Sequence, residues 1–157
     1  MGTFNGKFES AKQDWETPPE FFNRLNAEFN FDCDLAASDA NAKCNKYFTS
    51  ETNAMAQTWR GVCWLNPPYG ESGYKLSDWV KKAFNESQAG NCKVVMLIPA
   101  RTNTTWWRQY CHRAKEVRLI CGRPKFIGAT HGLPQPLAIV IFEKCELTAT
   151  YSIYEAA

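Results

Sequence analysis

The stretch Val62-Cys63-Trp64-Leu65-Asn66-Pro67-Pro68-Tyr69 contains the strongest structural signal in the sequence. Four apolar residues, followed by two prolines and the glycine-containing segment 70–73, indicate a buried strand that ends in a loop. Each proline lacks a backbone N–H and restricts φ, and Pro67 also favours an extended conformation for Asn66. We therefore predict a stiff turn that offers oxygen acceptors and few donors, with the flat ring of Tyr69 beside it.

The chemistry of this turn suits an exocyclic amino group on a planar ring. The two N–H groups can donate to the Asn66 side-chain oxygen and the Pro67 carbonyl while the ring stacks on Tyr69. Because the nitrogen lone pair is delocalised into the ring, two acceptors that favour tetrahedral nitrogen turn it into a nucleophile. Such acceptors stabilise the transition state more than the ground state. The candidate catalytic residues are therefore Asn66, Pro67, Pro68 and Tyr69.

These four residues match the (Asp/Asn/Ser)-Pro-Pro-(Tyr/Phe/Trp) motif of amino-methyltransferases, which use S-adenosylmethionine. The surrounding sequence resembles the phage-type, Dam-like DNA N6-adenine methyltransferases across residues 15–143. The resemblance implies transfer of a methyl group to N6 of a flipped-out adenine in double-stranded DNA. The stretches that carry it are Trp15–Pro18, Phe31–Ala37, Asn41–Thr49, Trp64–Gly70, Leu97–Thr102, Trp106-Trp107, Arg118–Phe126 and Ala138–Phe142.

The pattern of apolar residues predicts a compact α/β, Rossmann-like domain with a mostly parallel sheet. Only 31 residues separate Asp34 from Asn66, whereas two complete βα units need about 60 residues. We therefore expect the methyltransferase sheet to be trimmed in this interval. The predicted helices begin at Pro18 and span 76–88 and 102–114, and the predicted strands span 31–37, 46–49, 62–65, 93–99, 117–121, 137–142 and 148–154.

Candidate cofactor residues lie at the ends of these elements, since ligands of open α/β sheets bind beyond the carboxyl ends of the strands. Asp34 can hold an ammonium group there, or serve simply as a turn former, and Ala36 leaves room for close approach. Thr17 and Pro18 are predicted to start the first helix as N-cap and N1, and the resemblance implies that they also lie against the cofactor. The polar candidates for contacts with the ribose and adenine of the cofactor are, in no order of preference, Asp39, Glu51 and Asn53.

The charge of the chain is unevenly distributed although its net value is only +2. Residues 91–130 contain eight Lys and Arg against Glu116 alone, a net +7 that leaves −5 for the rest. This asymmetry favours one face for a polyanion such as DNA, with a solvated helix face as the simpler alternative. Phe126 is interpreted either as a cover for a flipped base or as a core residue. The proposed phosphate contacts are Arg101, Arg123 and Lys125.

Composition limits the possible classes of protein. The 157 residues suffice for one domain at 15–157 after a loose lead-in at 1–14, with no separate target-recognition domain. Seven scattered cysteines without a Cys-x-x-Cys pair argue against a metal site and a disulfide framework, and favour a reducing cytoplasm. No apolar stretch approaches the roughly 20 residues of a membrane span. The oligomeric state is not predicted.

Two other functions fit the same motif. A protein glutamine methyltransferase would also present a planar NH2 group to Asn-Pro-Pro-Tyr, although the basic segment suits DNA better. A degenerate methyltransferase fold could instead bind DNA or a protein without catalysis, which the intact motif argues against. Methyl incorporation into DNA or into protein distinguishes these alternatives.

Overall fold

A computed structural model describes residues 16–68, 73–127, 135–146 and 148–156. The predicted lead-in at 1–14 lies outside the described residues. Single 3-10 turns occur at Ala54–Ala56 and Cys111–Arg113. The helices are α1 Pro19–Phe29, α2 Leu76–Gln88 and α3 Thr105–Tyr110, and the strands are β1 Cys33–Asp34, β2 Lys46–Tyr47, β3 Gly61–Leu65, β4 Cys92–Pro99, β5 Glu116–Cys121, β6 Leu137–Phe142 and β7 Thr150–Glu155.

The described strands form one seven-stranded sheet in the order β2-β1-β3-β4-β6-β5-β7. Strand β6 runs antiparallel to both of its neighbours, β4 and β5, while every other neighbouring pair is parallel. Strands β1 to β5 and β7 therefore all end at the same side of the sheet, which we call the carboxyl edge. The predicted α/β architecture with a mostly parallel sheet is confirmed.

Two apolar layers cover the two faces of the sheet. The alternating residues of β4 divide between them, with Val94, Met96 and Ile98 in one core and Val95 and Leu97 in the other. The first core is packed by α2 and α3, and the second by α1. A strand that is buried on both faces must be apolar throughout, which explains why the patterns of β4 and β6 predicted strands correctly.

The interval between β1 and β3 is short, as expected. Residues 35–60, all of which the structure describes, contain the two-residue β2 and the 3-10 turn at Ala54–Ala56. This interval therefore contains a single short strand in place of two complete βα units. From the sequence alone, residues 38–49 also fit a short helical piece before the strand, and this prediction is wrong because the chain forms turns at 39–41 instead.

Three predicted boundaries are corrected by the structure. Helix α1 begins at Pro19 with Pro18 as N-cap and makes no side-chain capping bond, so the predicted Thr17 cap is wrong. Strand β1 is shorter than 31–37, since the chain turns when Ala36 N donates to Asp34 Oδ1 at 3.2 Å. Helix α3 begins only after Thr104, whose hydroxyl accepts from Trp107 N and defines the N-terminus.

Candidate active site

A cavity of about 630 Å³ opens at the carboxyl edge beside the end of β3. Its wall combines the turn after β1, the segment 49–54, the start of the motif and the two residues that precede Pro18. This arrangement follows from the topology, because β1 and β3 are neighbours and their carboxyl ends must meet. The lining residues are Glu16, Thr17, Asp34 to Ser38, Asn41, Lys43, Thr49, Ser50, Asn53, Ala54, Trp64, Asn66, Pro68, Tyr74 and Trp79.

Asp34 supplies a carboxylate in the wall of the cavity and is only 3% exposed. Its Oδ1 accepts from Ala36 N at 3.2 Å and its Oδ2 from Lys43 N at 3.0 Å. Burial raises the pKa of Asp34, while these backbone hydrogen bonds and the Lys43 charge oppose the rise. A buried acidic group with two fixed donors is a preorganised partner for a cation.

A short strap formed by residues 16–18 crosses the cavity. The Glu16 carboxylate forms a 2.8 Å ion pair with Lys43 Nζ, and the Glu16 carbonyl accepts from Ile127 N at 3.1 Å. The strap is therefore held by the segment that also holds Asp34 and by the connection that follows β5. No sequence signal indicated the Glu16–Lys43 pair, because ion pairs between distant residues follow no local pattern.

The motif residue Asn66 is held by this strap. Asn66 Nδ2 donates to Thr17 Oγ1 at 3.1 Å, and Thr17 is only 2% exposed. The hydroxyl thus engages the nitrogen of the side-chain amide, whereas the predicted chemistry uses its oxygen. Pro67 is buried, and Pro68 lines the cavity. Tyr69 lies outside the described residues.

A cluster of aromatic residues lies at another part of the cavity wall. Asn53 Nδ2 donates to Tyr74 Oη at 3.4 Å, and Tyr74 meets the Trp79 ring edge-to-face with centroids 6.3 Å apart. Trp79 also stacks on Trp59, whose Nε1 donates to Ala54 O at 2.8 Å. The helical pattern correctly placed Trp79 on the inward face of α2, but it did not indicate that this first turn reaches the cavity.

The structure separates the candidate cofactor residues into two groups. Thr17, Asp34, Ala36 and Asn53 line the cavity together. The others are not among the lining residues: Pro18 starts α1 through its carbonyl, Asp39 accepts from Tyr47 Oη at 2.7 Å, and Glu51 is exposed. The prediction that Pro18, Asp39 and Glu51 belong to this site is therefore not supported by their positions.

The basic segment 91–130 does not form one face. Lys93 and Lys115 lie near the starts of β4 and β5 and both pair with Glu143, and Arg118 pairs with Glu28 and Glu116. The three predicted phosphate contacts, in contrast, are exposed and follow the carboxyl ends of β4 and β5. Arg101, Arg123 and Lys125 therefore share the edge of the sheet onto which the cavity opens.

Phe126 belongs to the second core and is only 3% exposed. It packs in the same cluster as Phe21, Phe22 and Leu137. Of the two interpretations from the sequence, the structure agrees with the one that makes Phe126 a core residue. The assignment of Phe126 as a substrate contact is corrected accordingly. A lone aromatic residue among basic ones did not reveal that its ring packs into the core on the α1 face of the sheet.

The described residues contain no candidate metal cluster and no membrane-spanning helix. No group of three or more His, Cys, Asp or Glu side chains there could hold a metal ion, and none of the described helices is long and apolar enough to cross a membrane. All seven cysteines lie in the described part of the chain, and each is a free thiol.

The mostly parallel α/β sheet, with a cavity at its carboxyl edge beside the Asn-Pro-Pro-Tyr sequence, is consistent with a protein of the methyltransferase class. The family model described as DNA N-6-adenine-methyltransferase (Dam) matches residues 6–143. The chain belongs to this family, as the sequence resemblance indicated.

Two relatives are similar over most of the chain. The DNA N-6-adenine-methyltransferase of Haemophilus phage HP1 (strain HP1c1) is 32% identical over 152 residues, which cover 91% of this chain and 86% of the relative. The DNA N-6-adenine-methyltransferase of Escherichia phage T1 is 32% identical over 112 residues, covering 69% of this chain and 45% of the longer relative.

Proposed function

We propose that this protein transfers a methyl group from S-adenosylmethionine to N6 of adenine in double-stranded DNA. The observation that carries the proposal is the hydrogen bond that holds Asn66, within an intact Asn-Pro-Pro-Tyr turn, in the wall of a cavity that also contains the Asp34 carboxylate. Membership of the DNA N-6-adenine-methyltransferase family supports both the reaction and the substrate.

The cavity fits the proposed cofactor in size and in chemistry. The Asp34 carboxylate suits an ammonium group, and Ala36 and Ala37 leave space. When bound, the cofactor supplies an electrophilic methyl group on a sulfonium centre. The role of the residues around it is to bind and orient it.

Asn66 orients the target amino group in this mechanism. Thr17 engages the amide nitrogen of Asn66, and the amide oxygen is the atom that accepts from the adenine N6. The Pro67 carbonyl is the second proposed acceptor, and Pro68 keeps the turn stiff. Tyr69 stacks on the flipped base in this proposal, which rests on the motif alone. Both acceptors bind most tightly when N6 becomes tetrahedral, so they lower the barrier to transfer.

No general base with a tuned pKa is needed for the reaction. The amino nitrogen would attack the methyl carbon while it still carries both protons. It would become cationic as the new N–C bond forms and the S–C bond of the sulfonium breaks, which leaves a neutral thioether. A cationic aromatic amine is acidic, so it loses a proton to water after transfer. The function of the site is therefore positioning and electrostatic complementarity.

The DNA must deliver its adenine to the carboxyl edge. A base within a duplex cannot reach such a cavity, so flipping is required at a cost of a few kcal/mol. The exposed Arg101, Arg123 and Lys125 flank the same edge and are proposed to bind phosphates beside the flipped nucleotide. The single domain 15–157 then provides both catalysis and DNA contact.

The test is a transfer assay with labelled S-adenosylmethionine and duplex DNA, followed by digestion to nucleosides. We expect label in N6-methyladenine. A parallel reaction with protein substrates measures the glutamine alternative. Label in protein with none in DNA would contradict the proposal, and so would cofactor binding without transfer to either.

A further inference from the structure

Lys43 contacts two parts of the cavity wall at once. Its backbone N–H donates to Asp34 Oδ2 at 3.0 Å, and its Nζ forms the 2.8 Å ion pair with Glu16. The side chains of Lys43 and Glu16 are only 13% and 32% exposed, so solvent screens this pair less than it screens a fully exposed one. Lys43 therefore connects the predicted cofactor carboxylate to the strap 16–18.

The strap carries this connection to the motif. Thr17 follows Glu16 directly, and its Oγ1 accepts from Asn66 Nδ2 at 3.1 Å. Pro18 disfavours helical conformations of Thr17, and the Glu16 carbonyl is held by Ile127 N at 3.1 Å. The backbone between the ion pair and Thr17 therefore has little freedom to absorb a shift of Glu16.

We propose that the Glu16–Lys43 ion pair is a positioning pair that couples cofactor binding at Asp34 to the orientation of the Asn66 amide. The inference rests on the proposed function and deepens it, because it assigns both residues to the link between the cofactor and the target amino group. The contacts form one continuous path, in the order Asp34, Lys43, Glu16, Thr17 and Asn66. Coupling of this kind is reciprocal, so a bound cofactor favours binding of the target nucleotide and a bound target favours binding of the cofactor.

An ion pair within α2 provides an internal comparison. Lys82 Nζ pairs with Glu86 at 3.0 Å, and the two side chains are 18% and 15% exposed. This pair resembles the Glu16–Lys43 pair in distance and burial, but neither of its residues lines the cavity. Loss of an ion pair should therefore affect stability similarly in both places, whereas only the Glu16–Lys43 pair should affect methyl transfer.

The first experiment measures single-turnover transfer from saturating S-adenosylmethionine to a duplex that accepts label from the wild-type protein. Saturation removes the effect of a weaker cofactor affinity, and the backbone N–H of residue 43 remains available to Asp34 in every variant. We expect Lys43→Met and Glu16→Ala each to slow transfer about fivefold or more. The double variant should be no slower than either, because all three remove the same interaction. Lys43→Arg keeps the charge and should restore most of the rate, and Lys82→Met should transfer at the wild-type rate.

The second experiment measures the coupling itself, as the affinity for S-adenosylhomocysteine with and without the same duplex. We expect the wild-type protein to bind S-adenosylhomocysteine about fivefold or more tightly when the duplex is present. Lys43→Met and Glu16→Ala should lose most of this difference, and Lys82→Met should keep it. An ion pair with a purely structural role would leave the difference unchanged.

Four results would overturn the proposal. One is a wild-type protein that binds S-adenosylhomocysteine and the duplex independently, a measurement that does not depend on whether any variant folds. Another is a folded Lys43→Met protein that transfers at the wild-type rate. The third is an equal loss of rate in Lys82→Met, and the fourth is a pair of single-variant losses that multiply in the double variant. A wild-type protein that transfers label to no duplex would instead contradict the proposed function itself.

Discussion

Asn66 Nδ2 donates to Thr17 Oγ1 at 3.1 Å, although the two residues are 49 positions apart. The bond joins the strap 16–18 to the turn after β3. Thr17 is not a helix cap because two prolines follow it, and these remove two of the N–H groups that a cap would satisfy. Its hydroxyl instead accepts a hydrogen bond from the Asn66 side-chain amide.

Removing the Thr17 hydroxyl should slow methyl transfer more than it weakens binding. In Thr17→Val the Asn66 amide loses its hydrogen bond to Thr17 and is held less firmly, so we expect single-turnover rates about 10-fold or more lower, with S-adenosylmethionine affinity changed less. Thr17→Ser keeps the hydroxyl and should restore most of the rate. Equal losses for Val and Ser would indicate a packing role in place of a positioning role.

Asn66 itself should be essential for the chemical step. Asn66→Ala removes an acceptor that strengthens only in the transition state, and comparable preorganised groups contribute about 10²–10³ in rate. Asn66→Asp should retain part of the activity because a carboxylate still accepts. Single-turnover transfer to adenine-containing DNA measures both, with the exposed Asn23→Ala as control. Wild-type rates for Asn66→Ala would mean that the motif is only a turn.

Asp34 should control cofactor affinity and its dependence on pH. Asp34→Asn removes the charge but keeps one oxygen for one of the two backbone donors, and we expect binding weaker by about 1.5–3 kcal/mol, or about 10- to 150-fold. Calorimetry measures the change, with the exposed Asp39→Asn as control. Unchanged affinity in a folded Asp34→Asn protein would exclude Asp34 from the site.

The sign of the pH effect follows from burial. The pKa of Asp34 is raised above its ordinary value of 3.8, so the carboxylate forms only at higher pH than in an exposed aspartate. Cofactor affinity should therefore rise as the pH increases through the raised value. Without ligand, the Asp34 contribution to stability should fall across the same window, because the folded state favours the protonated form. Asp34→Asn should remove both effects.

Neutralising Arg101, Arg123 and Lys125 together should weaken DNA binding and flatten its salt dependence. The slope of log K against log salt should fall by up to about 0.9 for each lost duplex phosphate contact. Binding titrations at several salt concentrations measure it. The control triple variant, with Arg60, Lys81 and Lys144 changed to Gln, removes the same charge away from the carboxyl edge. Equal slopes for the two triples would place the DNA elsewhere.

Phe126 should matter for stability, since its ring lies in the second core. Phe126→Ala should lower the free energy of unfolding by about 3–5 kcal/mol, and Phe126→Leu by less, because it leaves a smaller cavity. The adjacent Ile127 is 48% exposed, so Ile127→Ala should cost under about 1 kcal/mol. Chemical denaturation measures all three. A stable Phe126→Ala protein that has lost DNA methylation would restore the base-covering interpretation.

The sequence alone determined the features that depend on neighbouring residues. The apolar runs of β4 and β6 predicted buried strands because both faces of such strands meet a core. The spacing of Trp79, Val80, Ala83 and Phe84 predicted α2 with its bounds, since these residues share one helical face. The prolines of the motif predict a stiff turn through their own covalent geometry, and this stays a prediction because residues 69–72 lie outside the described part of the chain.

The tertiary structure alone decided which distant groups meet. It pairs Thr17 with Asn66, buries Phe126 and places the charges of the basic segment at both ends of the strands. None of these relationships produces a periodic pattern or a distinctive local composition in the sequence. Each depends on how the chain crosses the sheet between the two partners. The pattern of apolar residues indicates which residues are buried. The contacts of a polar atom depend instead on how separate helices and strands are oriented relative to one another.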